Sequence, residues 1–145
     1  MTRDPARYHG GLTDVRPLSE LARACAAASV LMVALPDAPE VRGFVSAEIL
    51  DALSPGWLVN VARGSLVDES ALVERLRDGR LLGAGLDVVS TEPPPGDSPL
   101  WDLANLVLTP HMAGRSPTYA VRFAALMAEN LKAFHGRGEW RNRVC

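Results

Sequence analysis

The sequence has few of the features that mark secreted, membrane-bound or nucleic-acid-binding proteins. Its 145 residues include only two cysteines, Cys25 and Cys145, and no His, Cys or Asp spacing typical of a metal or redox site. Lys and Arg total 15 against 17 Asp and Glu, so the net charge of −2 gives no field that would attract nucleic acid. The longest apolar stretch, residues 24–35, is shorter than the roughly 20 residues of a membrane span, and residues 1–11 form no apolar signal segment. We therefore expect a reduced, cytoplasmic protein without a metal, nucleic-acid or membrane partner.

Apolar runs alternate with amphipathic patterns along the rest of the chain. Such short runs predict strands, at residues 30–35, 57–61, 82–89 and 106–109. Helices are predicted from a Ser46 cap to Leu53, from an Asp68 cap to Asp78-Gly79, and over about residues 116–134. Unbroken apolar strands between amphipathic helices indicate an α/β fold, with a parallel sheet, right-handed crossovers and helices on both faces.

Ligands of open parallel sheets bind beyond the carboxyl ends of the strands. The polar residues that directly follow each predicted strand are therefore the candidates for a functional site. Arg63 follows the second strand, and its planar, charged guanidinium can bind a carboxylate through two hydrogen bonds. Glu92 lies in a proline-rich loop beyond the third strand, and His111 follows the fourth. Each residue also has a structural interpretation when it is taken singly. Arg63 would be a solvent-exposed arginine or part of a structural ion pair, Glu92 a solvated loop acid, and His111 a capping or packing histidine.

The coincidence of the three side chains at one edge favours a site. We expect Glu92 to lie within about 2.6–3.2 Å of His111, where it would orient the imidazole for proton exchange. Asp87 stands inside an apolar run, and a buried carboxylate needs either a structural partner or a ligand. The sequence contains no G-x-S-x-G elbow, which disfavours acyl transfer.

Three segments resemble the D-isomer-specific 2-hydroxyacid dehydrogenases. They are VNVARGSLVDESAL at residues 59–72, GAGLDVVSTEP at 83–93 and LTPHMAG at 108–114. Leu35-Pro36 with the following PEVRG, and the C-terminal AENL and RNRV, are similar to further segments of the family. The resemblance covers roughly residues 12–144, with its motifs in the family order.

The resemblance implies an NAD(P)-dependent oxidoreductase that interconverts a D-2-hydroxy acid and its 2-oxo acid. Arg63 would bind the substrate carboxylate and polarise the carbonyl, His111 would be the acid/base, and Glu92 would pair with it. The cofactor would be NAD or NADP, with NAD slightly favoured. Besides Arg63 and His111, the residues implied to contact it are Asp87 at the nicotinamide end, Asp4 at the ribose, and Leu35, Pro36, Val61, Ala62, Ala113 and Gly114 along the dinucleotide.

The family pattern is incomplete in this sequence. Neither a G-x-G-x-x-G turn nor the family's substrate domain is recognisable, so residues 1–145 are interpreted as part of an NAD(P)-binding domain with an incomplete Rossmann-like, doubly wound parallel sheet and flanking helices. We expect binding of NAD weaker than about 1 mM. An exposed sheet edge predicts either self-association or a rearrangement of the N-terminal segment over that edge. The alternative function is a truncated, inactive remnant or partner-binding fragment of such an enzyme.

Overall fold

In the computed structural model, which describes residues 14–142, four parallel strands form one sheet. They lie in chain order: β1 at Val30–Val33, β2 at Trp57–Asn60, β3 at Gly83–Leu86 and β4 at Leu106–Leu108. Each strand starts where an apolar run predicts it, or one residue later, and ends one to three residues before the run ends. The predicted α/β fold with a parallel sheet is confirmed.

The register places the carboxyl ends of the strands side by side. Val33 pairs with Asn60, Asn60 with Leu86, and Leu86 with Leu108. The chain segments that leave the four strands therefore start from one level edge, which is where the candidate site residues lie.

Helices cover one face of this sheet. The helices are α1 at Leu21–Cys25, α2 at Ala47–Leu53 and α3 at Glu69–Arg77, and α2 packs between α1 and α3. Their apolar sides bury the central leucines of the core, which are Leu50, Leu53, Leu58, Leu66, Leu72 and Leu81.

The opposite face of the sheet is exposed, which differs from the expectation of helices on both faces. Met32 and Val107 on this face are 63% and 66% exposed, and Val30 and Trp57 beside them are about half exposed. The cause is topological: successive right-handed crossovers that all advance in one direction place their helices on the same face. We call this surface the open face.

Helix ends follow the sequence signals in part. Asp68 caps α3, because its carboxylate accepts a hydrogen bond from the Ala71 amide at 3.0 Å, and Asp78 with Gly79 at φ +74° ends the helix as predicted. Ser46 is the N-cap residue of α2, which ends at Leu53 as predicted, but the Ser46 side chain makes no capping hydrogen bond. The short α1, rich in alanine, has too weak an apolar periodicity to be predicted.

Two compact units divide the chain, one ending at Ala113 and the other beginning at Gly114. The second unit contains α4, at Tyr119–Phe134. This helix begins three residues after the predicted start near Ser116. Apolar side chains recur along this helix and are exposed, among them Tyr119, Phe123, Met127 and Leu131. No helix within residues 14–142 is long and apolar enough to cross a membrane.

Candidate active site

Arg63 lies on a turn that a buried amide holds in place. Asn60, the last residue of β2, is 1% exposed, and its Oδ1 accepts a hydrogen bond from the Ala62 amide at 3.0 Å. Its Nδ2 donates to the Arg63 carbonyl at 2.9 Å. Sequence reasoning assigned Asn60 no role, although a lone amide in the apolar run WLVNV was an available signal. Asn60 fixes both ends of the peptide segment that carries the guanidinium.

The Arg63 side chain is exposed, and its Nη1 donates to the Ala62 carbonyl at 2.7 Å. Among residues 14–142 it forms no ion pair with a carboxylate. The structural alternative raised for it, an ion pair, therefore has no support within the described chain, and the guanidinium keeps donors for a ligand.

Gly64 brings the Arg63 turn against the loop that carries Glu92. The residue is buried, and a Cβ at this position would overlap the carbonyl group of Val89. The adjacent Ser90 is tied to the start of α3, because its amide and hydroxyl both donate to Glu69 Oε2 at 2.8 Å. The close contact and these bonds set the two loops at a fixed separation.

Glu92 and His111 form the hydrogen-bonded pair that the sequence predicts. The distance between Glu92 Oε2 and His111 Nδ1 is 2.8 Å, within the expected range. Glu92 Oε1 accepts a second hydrogen bond from the Val89 amide at 3.2 Å, which orients the carboxylate. Loops that follow β3 and β4 thus deliver an acid and an imidazole to one point of the sheet edge.

The electrostatics of the Glu92–His111 pair indicate which of its atoms carry a proton. The hydrogen bond from His111 lowers the pKa of Glu92, and the Val89 amide and the charges of His111 and Arg63 act in the same direction against partial burial. The carboxylate is therefore ionised near neutral pH and can only accept, so His111 Nδ1 carries a proton. Among the described residues no group hydrogen-bonds to His111 Nε2, which leaves that nitrogen to exchange a proton with a ligand.

Asp87 lies directly after β3 rather than inside it, and is 6% exposed. Its Oδ1 accepts from the Thr109 hydroxyl and the Met112 amide, and its Oδ2 accepts from the Ala113 amide at 2.8 Å. The Thr109 hydrogen bond lowers the pKa of Asp87, and the two amides add to this effect against desolvation. The buried carboxylate has structural partners, as its burial requires.

A cavity of about 330 Å³ adjoins the Glu92–His111 pair. Apart from Asp87, Glu92, Thr109 and His111, its walls are apolar: Val89, Pro93, Pro94, Trp101, Leu108 and Pro110. Arg63 does not line this cavity, and the structure links it to the pair only through the effect of its charge on the pKa of Glu92.

The other residues implied to contact a dinucleotide follow the strand ends. Leu35 and Val61 are half-buried, Pro36 and Ala113 are exposed, and Ala62 is buried with its amide bonded to Asn60. The role of Gly114, which begins the second unit, stays a prediction, and Asp4 lies outside the described residues. These residues thus follow the ends of neighbouring parallel strands, the edge at which ligands of open parallel sheets bind.

Comparison with known proteins finds a family model that matches most of the chain. Residues 6–113 match the family described as D-isomer specific 2-hydroxyacid dehydrogenase, NAD binding domain. The chain is 42% identical over 108 residues to D-3-phosphoglycerate dehydrogenase of Mycobacterium leprae, covering 74% of this chain and 20% of that enzyme. It is 42% identical over 132 residues to hydroxyphenylpyruvate reductase of Plectranthus scutellarioides, covering 90% of this chain and 39% of that enzyme.

A solved structure shares the fold. The D-isomer specific 2-hydroxyacid dehydrogenase from Xanthobacter autotrophicus Py2, crystallised with NADPH and MES, superposes with a TM-score of 0.79 at 37% identity. The alignment covers 89% of this chain and 53% of that one. The chain thus spans well under two thirds of the length of each of these proteins.

Proposed function

The chain belongs to the D-isomer specific 2-hydroxyacid dehydrogenase family, and we propose that its sheet edge is the cofactor-side half of an active site that interconverts a D-2-hydroxy acid and its 2-oxo acid. The observation that carries this proposal is the Glu92–His111 pair at 2.8 Å, where the charge of Arg63 helps to lower the pKa of Glu92.

Arg63 is the proposed anchor for the substrate carboxylate. A guanidinium can bind a carboxylate through two parallel hydrogen bonds, which fixes both position and orientation. The Asn60 amide holds the Arg63 turn in advance, so less ordering is needed when the acid binds. With the carboxylate gripped, the neighbouring carbonyl would lie beside the imidazole.

His111 is the proposed acid/base. In the reducing direction, protonated Nε2 donates its proton to the carbonyl oxygen as that oxygen becomes a hydroxyl; in the oxidising direction, neutral Nε2 removes the hydroxyl proton. Glu92 keeps the proton on Nδ1 in both directions and stabilises the imidazolium.

NAD or NADP would be held by Asp87 and by the main chain of residues that follow the strand ends: Leu35, Pro36, Val61, Ala62 and Ala113. When bound, the nicotinamide would supply or accept the hydride at the carbon that bears the reacting oxygen. The chain's own residues contribute binding, orientation and the accompanying proton.

The proposal is tested by hydride transfer from NADH or NADPH to glyoxylate, pyruvate, hydroxypyruvate and phenylpyruvate, followed as loss of the reduced cofactor. Turnover should fall at least about 100-fold in His111→Gln, since it removes the acid/base. Turnover should also fall strongly in Arg63→Lys, because an ammonium cannot form the two parallel hydrogen bonds to the substrate carboxylate. The control Arg77→Lys changes an exposed arginine on α3 and should match wild type.

Equal rates in all four proteins would contradict the site assignment. Absence of reduction of every acid in the wild type would favour the alternative, an inactive remnant or partner-binding fragment. The open face supports that second function, because four large apolar side chains at Val30, Met32, Trp57 and Val107 are about half or more exposed.

Whichever function holds, we propose that a second copy of the chain covers the open face. The net charge of −2 provides little repulsion between copies. We also propose a cytoplasmic location, since the buried thiol of Cys25 is free and fits a reducing compartment.

A further inference from the structure

We propose that Asp87 is a positioning residue for His111: its carboxylate clasps the turn around the histidine from both sides and thereby holds the imidazole against Glu92. The inference rests on the proposed function only in taking His111 as the proton-exchanging group. It gives Asp87 a task separate from the nicotinamide contact that the family resemblance implies.

Four hydrogen bonds from the His111 turn converge on Asp87. The Thr109 hydroxyl and the Met112 amide donate to Oδ1, and the Ala113 amide donates to Oδ2. The main-chain carbonyl of Asp87 accepts from the His111 amide at 2.9 Å. Both sides of the turn are therefore attached to a single buried residue at the end of β3.

The conformation of His111 explains why such a clasp is needed. Its φ of +49° lies in the left-handed region, which residues with a Cβ occupy only when their surroundings impose it. Strand β4 ends at Leu108, and the Thr109 amide still donates to the Leu86 carbonyl at 3.0 Å. After that bond, the amides of His111, Met112 and Ala113 all donate to Asp87. The imidazole is also exposed, and packing holds it little. The bonds to Asp87 supply the missing constraint.

Asp87 could instead act on His111 only through its charge, without holding the turn. The two roles predict opposite changes in the pKa of Glu92 when Asp87 is replaced. Removal of the Asp87 charge alone would lower the pKa of Glu92, because a neighbouring negative charge disfavours ionisation. Release of the turn would separate His111 from Glu92 and raise that pKa, because the His111 hydrogen bond is its main depressing influence. The other charged group acting on Glu92, Arg63, is left in place by both effects.

The experiment is an NMR titration of the Glu92 side-chain carboxyl in the full chain. In Asp87→Asn, the asparagine NH₂ cannot accept a hydrogen bond from the donor on the turn that it would face, so the turn is released. We then expect the pKa of Glu92 to rise toward the ordinary glutamate value. Amide exchange at Met112 and Ala113 should become at least about tenfold faster. Thr109→Val removes one bond and leaves the charge of Asp87, so it should give a smaller rise, while Thr109→Ser should restore wild-type titration.

Val73→Ala, a cavity in α3 away from the site, controls for general destabilisation and should leave the Glu92 titration unchanged. A Glu92 pKa that is unchanged or lowered in folded Asp87→Asn would overturn the clasp. If Asp87→Asn does not fold, Thr109→Val decides: no rise there overturns the proposal. Failure of the clasp would leave the turnover assay for His111 and Arg63 unaffected, so the two proposals fail separately.

Discussion

Buried polar residues hold the exposed ones at this sheet edge. Arg63 and His111 are exposed, and each lies on a turn whose main chain is bound by a neighbour that is almost fully buried, Asn60 and Asp87 respectively. The main chains of these two neighbours are joined as well, because the Asp87 amide donates to the Asn60 carbonyl at 3.0 Å. The reactive side chains are thus positioned by hydrogen bonds to two residues that are almost fully buried.

At the same scale, the Glu92–His111 bond predicts a pH dependence of stability. The pKa of Glu92 is lower in the folded chain than in the unfolded chain, so its contribution is fully present above the unfolded value near 4.3 and is lost as pH falls through the lower folded value. Glu92→Gln should therefore lose less stability on acidification than wild type. Urea unfolding from pH 6 to pH 3, at about half-unit steps, measures this; parallel curves for the two proteins would contradict it.

At the scale of elements, the site depends on the contact between the loops after β2 and β3. Gly64→Ala would place a Cβ on the Val89 carbonyl, and backbone on both sides leaves little room to yield. We expect a loss of about 1–3 kcal/mol in the free energy of unfolding. The control Gly85→Ala adds its Cβ on the open face, where no atom lies within 4 Å, and should be neutral or slightly stabilising. Chemical denaturation of both variants gives the comparison, and equal losses would refute the argument.

Apolar periodicity predicted the four strands and the helices α2, α3 and α4. It reports which positions lie on an apolar face. It does not report hydrogen-bond pairing, which is why the run 82–89 places Asp87 inside a strand. Val88 and Val89 remain buried, 2% and 8% exposed, after β3 has ended at Leu86. The role of Asn60 was missed for a related reason, since its bonds are to main chain that no sequence pattern shows. The pairing of Glu92 with His111 was predictable because parallel topology brings strand ends together.

At the scale of the whole molecule, the open face leaves large apolar side chains of the sheet unit exposed to solvent. If a second copy covers it, Met32→Lys should shift the chain toward monomer, because burial of an unpaired ammonium is unfavourable. Ala104→Lys, at an exposed residue in the loop before β4, adds the same charge elsewhere and should leave association unchanged. Light scattering across a concentration series measures both, and a wild-type monomer at every concentration would refute association.

The central claim is that cofactor and 2-oxo acid bind side by side at the carboxyl edge of this sheet. NMR titration of the chain with NADH, followed by oxamate as an unreactive analogue of a 2-oxo acid, tests it most directly. We predict that NADH shifts the amides of Leu35, Val61 and Ala62 with millimolar affinity, and that oxamate then shifts the Arg63 guanidinium and the His111 ring. No shift at these groups up to about 10 mM ligand, or shifts confined to the opposite end of the strands, would contradict the account.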